Sequence, residues 1–129
     1  DDTYYGCELL VIREFPLFPT GYFLVALGGN YDVQLNAFLG AATLADLDRL
    51  KIGKAFLSAL GAAPAGFFSR HENHSYFLRR VLEIADDSYL LLTADKFGKS
   101  GLFDIGPLSA LSGLITDAEP PGYVPARLC

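Results

Sequence analysis

Glycine, proline and polar turn clusters cut the apolar sequence into short runs, and only the stretch from Thr43 to Leu60 offers helical spacing over several turns. A chain divided in this way cannot build a helical bundle. It has to bury short strands against a limited amount of helix. Cys7–Phe15 reads as a strand that is apolar on both faces, which suits an inner position in a sheet. Pro16 and Pro19 interrupt regular structure after it. Gly21–Leu27 is a second strand, and Val33–Leu39 alternates with Val33, Leu35, Ala37 and Leu39 on one face. Gly28-Gly29-Asn30-Tyr31-Asp32 lies between them as a turn cluster, so residues 21–39 are expected to form a hairpin.

The expected main helix spans about residues 44–60, with Thr43 as N-cap and Asp46 completing a capping pair. Leu47, Leu50, Leu57 and Leu60 form its apolar stripe, Gly53 weakens its interior, and Gly61 and Pro64 end it. Strand patterns return with Phe67-Phe68, Tyr76–Ile84, Ser88–Thr93 and Gly101–Ile105, and Asp86-Asp87 reads as a turn. Leu108–Leu114 is expected as a short C-terminal helix, and residues 117–129, with Pro120, Pro121 and Pro125, as an extended tail. The expected architecture is a single α+β domain over residues 1–129. It is a mainly antiparallel sheet of about six to seven strands on one main helix. An alternating β-α-β order is not visible at this level.

Hydrophobic residues make up 51% and charged residues 19%, so some apolar surface should stay outside and meet a partner, most simply a second copy of the chain. The formal net charge is −5, the wrong sign for neutralising phosphates, which argues against nucleic acid as a partner. No apolar run is long enough to cross a membrane and no signal peptide is visible, so the chain reads as cytoplasmic. Cys7 and Cys129 form no metal or redox motif.

The only histidines, His71 and His74, stand three residues apart in Ser69-Arg70-His71-Glu72-Asn73-His74-Ser75. Imidazole chemistry is confined to this run, yet a zincin helix needs its second histidine one residue later. The run is expected as a solvated turn. The alternative is a small metal-assisted hydrolase or lyase centred on His71, Glu72 and His74. Gly98-Lys99-Ser100 ends like a phosphate loop, but Thr93 stands where that loop requires glycine, so a hairpin loop is expected there.

Ten Phe and seven Tyr without Trp give much ring area, concentrated near the N-terminus. The resulting expectation is a non-enzymatic protein-binding module (a regulator, adaptor, inhibitor or immunity-type protein) with no cofactor. Its contact surface would be Phe15, Phe18, Tyr22 and Phe23. Asp46, Asp48, Asp86 and Asp87 would steer a basic partner. A second alternative is a small-ligand sensor with an apolar pocket between sheet and helix.

Overall fold

Local punctuation decides the first elements. The computed structural model describes residues 3–6 and 23–128 and divides the chain into two compact units, residues 1–50 and 51–129. In the first unit β1 (Thr3–Gly6) pairs in parallel with β2 (Phe23–Ala26), and β3 (Asn30–Asp32) pairs antiparallel with β4 (Ala37–Leu39). The hairpin is therefore shorter than residues 21–39, and its turn lies after the glycines. Asp32 accepts the Leu35 N–H at 3.0 Å, and Asn36 takes a positive φ of 52°, so two short polar side chains close the turn. The expected strand Cys7–Phe15 and both cysteines lie outside the described residues.

Helix α1 covers only Ala41–Leu47. Its N-cap is Gly40, not Thr43, and Thr43 sits buried in the first turn with its hydroxyl donating to the Gly28 carbonyl. The last turn tightens through Arg49 N–H to Asp46 O and Leu50 N–H to Leu47 O. The expected helix over 44–60 is thus half wrong, because residues 52–57 form strand β5 (Ile52–Leu57). Gly53 disfavours helix there, and Ile52, Ala55 and Leu57 find burial by pairing with a later strand.

The second unit contains two sheets. One is antiparallel, with β6 (Gly61–Ala63) beside β7 (Gly66–Ser69) and β7 beside β9 (Phe103–Gly106). Gly66 has φ +144°, and a Cβ there would run into the Gly106 carbonyl, so β7 and β9 approach closely only because this residue is glycine. The other sheet is wholly parallel, in the order β10 (Gly113–Ile115), β8 (Ala85–Leu91), β5. Residues 58–84 connect β5 to β8 and include helix α2 (Glu72–Ile84), so a parallel crossover exists that the sequence pattern concealed.

Residues 76–84, expected as strand, are helical because Ser75, Leu78 and Val81 recur at a spacing of three and bury one face. The opposite face carries Arg79, Arg80 and Glu83, with an Arg80–Glu83 ion pair of 2.9 Å. Helix α2 runs straight into β8, so Asp86-Asp87 opens a strand and makes no turn. The helix packs against β5, β7, β8 and β9. Ile52, Ala55, Leu57, Ser88, Leu90, Gly113 and Leu114 are the buried residues of the parallel sheet, while Phe56, Leu91 and Ile115 stay exposed.

The expected helix over Leu108–Leu114 is a 3-10 turn, Leu108–Ala110, followed by β10. Gly113 lies under the Tyr89 ring, where an added Cβ would come within 2.7 Å of Cδ1. The C-terminal segment is tied down. Arg127 donates to the carbonyls of Leu111 (2.9 Å) and Ser109 (2.8 Å), and Val124 and Leu128 are buried. The chain is α+β, as its sequence implies, with antiparallel and parallel sheets both present. Among the described residues no helix is long and apolar enough to cross a membrane.

Candidate ligand site at the carboxyl edge of the parallel sheet

Ligands of open sheets with parallel strands gather beyond the carboxyl ends of the strands, because that is where connecting loops diverge and leave unpaired polar groups. In the second unit, chain segments following β5, β8 and β10 meet at this edge. The one after β8, residues 92–102, carries Thr93, Asp95, Lys96, Lys99 and Ser100. It begins with a 3-10 turn, Ala94–Lys96.

Hydrogen bonds and close packing hold this loop. The Ala94 N–H donates to Asp117 Oδ1 at 2.7 Å, which fastens the start of the loop to the segment after β10. The Gly98 N–H donates to the Ala62 carbonyl at 2.7 Å, and the carbonyls of Lys96 and Lys99 crowd Gly61 so closely that a Cβ there would overlap them. At the far end, a Cβ on Gly101 would stand 2.8 Å from the Ser69 carbonyl. The loop thus passes over the start of β6 and returns to the junction where β7 gives way to α2.

The electrostatics of the loop favour a charged acceptor beside charged donors. The Thr93 hydroxyl donates to the Asp95 carboxylate and holds it below the usual carboxylate range. Desolvation opposes this as the next largest effect, and the Asp95 backbone N–H, Lys99 and Lys96 each add a smaller push in the lowering direction. At neutral pH the loop therefore presents an ionised carboxylate and two lysines. A carboxylate accepts hydrogen bonds from hydroxyl groups, and an ammonium donates to hydroxyl or acid oxygens.

The histidine run borders this edge but assembles no metal centre. His71 is the N-cap of α2, with φ −115° and ψ 131°, and His74 lies in its first turn. Neither residue is part of the solvated turn expected from the sequence. Ser69, buried, accepts the His71 N–H at 3.1 Å and has its hydroxyl 3.4 Å from His74 Nδ1. Glu72 is exposed at the helix start, and among the described residues no three His, Cys, Asp or Glu side chains are grouped to hold a metal. Asp86 and Asp87 are exposed at the start of β8, and Glu83 is turned to Arg80.

Of the expected aromatic surface, Phe15, Phe18 and Tyr22 lie outside the described residues, and Phe23 opens β2 in register with Thr3. Sequence reasoning missed Asp95, Lys96 and Asp117. A usable signal existed, since Gly98-Lys99-Ser100 marked the loop as unusual, but it was read against a phosphate-loop template that requires a following helix.

A family model described as "DeoR C terminal sensor domain" matches residues 18–118. The chain belongs to this family. It is 34% identical over 94 residues to the HTH-type transcriptional regulator IolR of Bacillus subtilis (strain 168), covering 72% of this chain and 38% of that protein. It is 28% identical over 98 residues to the L-fucose operon activator of Haemophilus influenzae, covering 75% of this chain and 39% of that protein. It is 29% identical over 93 residues to the lactose phosphotransferase system repressor of Streptococcus mutans serotype c, covering 72% and 37%. The chain thus spans under two-fifths of the length of these relatives.

Membership of a DeoR-type sensor family overturns two expectations. The protein-binding module is replaced by a sensor domain, and of that expectation only the word regulator survives, since the relatives are regulators. The exclusion of nucleic acid falls too, because a relative is itself named an HTH-type transcriptional regulator. The charge argument failed because a sum over 129 residues speaks only for those residues, and the relatives are far longer.

Proposed function

We propose that this chain is the effector-sensing part of a transcriptional regulator. Its effector is a small polyhydroxylated metabolite held by the loops at the carboxyl edge of the β10–β8–β5 sheet. The observation that carries this reading is the anchored loop of residues 92–102, fastened at Asp117 on one side and lying against Ser69 on the other. It brings acceptors (Asp95, Asp117), donors (Lys96, Lys99) and hydroxyls (Thr93, Ser100) to one rim, and a polyol requires donors and acceptors together. Relatives named for L-fucose, lactose and glycerol 3-phosphate regulation support the same class of ligand. The whole protein's partner is then operator DNA, engaged through a helix-turn-helix segment as the name of the Bacillus relative implies for that protein. The effector would alter DNA affinity only by as much as it prefers one conformation of the protein over another.

Thermal unfolding of the 129-residue chain with L-fucose, lactose or glycerol 3-phosphate tests the reading. A ligand at a hundredfold excess over its Kd stabilises by about 2.7 kcal/mol. For a chain of this size that raises Tm on the order of 10 °C. At least one of the three compounds should produce such a rise, and Lys96→Ala should abolish it. A rise that survives both Lys96→Ala and Asp95→Ala would place the ligand elsewhere.

A further inference from the structure

At the carboxyl edge of the parallel sheet one polar atom is left unused by the fold itself. Thr116 follows β10 directly. Its Oγ1 is shut off from solvent and has no hydrogen-bond partner, the only such side-chain atom among the described residues. Leaving a buried hydroxyl unpaired is unfavourable, and valine, of nearly the same shape, would fill the position without that cost. The strand alternation puts Thr116 on the same side as buried Leu114, opposite exposed Ile115. The ladder ends beside it, where Leu92 N–H donates to the Ile115 carbonyl at 3.0 Å. The next residue is Asp117, which fastens Ala94. The orphaned hydroxyl therefore lies at the strand end where the loop begins, on the buried side of the sheet.

We infer that the Thr116 hydroxyl is a specificity-determining ligand contact, reached by a hydroxyl group of the effector when this strand end rearranges. The assignment rests on the sensor reading of the same edge and deepens it. A threonine hydroxyl offers one donor and two acceptor positions, so its natural complement is another hydroxyl. A site of this kind rejects analogues that lack that hydroxyl, because Thr116 Oγ1 would again be left unpaired. Because the oxygen is shut off from solvent, contact with it requires a local rearrangement at this strand end. That gives the effector different affinities for the two arrangements.

The test compares Thr116→Val and Thr116→Ser with the unaltered chain, using L-fucose, lactose and glycerol 3-phosphate as probes. Calorimetric titration should show the valine variant binding about tenfold more weakly, the usual worth of one hydrogen bond, with most affinity retained in the serine variant. Without ligand, the valine variant should unfold at the same temperature or higher. Unchanged affinity in Thr116→Val overturns the assignment. So does a lowered unfolding temperature in its ligand-free form, because the hydroxyl would then have an internal partner. If the unaltered chain binds none of the probes, the sensor reading of this edge fails first and the assignment fails with it.

Discussion

Asp95 shows how one side chain can be set for recognition by its neighbours. The Thr93 hydroxyl favours the ionised carboxylate most strongly, and Lys99 and Lys96 add to it. Its folded-state pKa is therefore lower than the unfolded value of about 3.9. The sign of the linkage follows. The contribution to stability is present above the unfolded value and is lost as the pH falls through the lower folded one. An NMR titration of the Asp95 carboxyl should give a midpoint below the ordinary Asp range, and Thr93→Val should move it upward. A midpoint that does not respond to Thr93→Val would mean that the hydroxyl does not set the charge state of the loop.

At the scale of elements, backbone geometry at the glycines separates two kinds of position. Gly29 has φ +142°, and a Cβ there would overlap the Thr43 hydroxyl and stand 2.8 Å from the Leu39 carbonyl. Gly29→Ala should destabilise the β3–β4–α1 corner by about 3 kcal/mol in urea unfolding. Gly53 lies in β5 with nothing within 4 Å of an added Cβ, so Gly53→Ala should be neutral or stabilise by roughly 0.5–1 kcal/mol. Equal losses from the two substitutions would contradict this account.

The same elements show what could be read from the sequence. Short strands and the α+β class follow from local chemistry. The boundary between α1 and β5 does not. Leu47, Leu50, Leu57 and Leu60 fit a helical stripe, and the pairing of Ile52–Leu57 with β8 is a long-range event that overrides it. Helix α2 was hidden because Tyr76, Phe77 and Leu78 resemble a strand, while the deciding period runs through Ser75, a polar residue, to Leu78 and Val81. The site was less legible still. Its residues come from separate loops, and only topology brings Asp117 to Ala94.

For the whole molecule, the family match identifies a sensor domain, and the proposed ligand edge belongs to its parallel sheet. The aromatic surface and negative charge that suggested a protein partner describe composition, and composition does not locate a site. The carboxyl edge is defined by strand direction, which neither apolar periodicity nor net charge encodes.

The most direct test maps binding residue by residue. An amide chemical-shift titration of the 129-residue chain with L-fucose, lactose and glycerol 3-phosphate would do this. The account predicts that the compound which binds will perturb residues 93–101, Thr116 and Asp117, with smaller effects at residues 69–74 and little change in β3, β4 and α1. Perturbations confined to residues 1–50, or no saturable change with any of the three compounds, would contradict it.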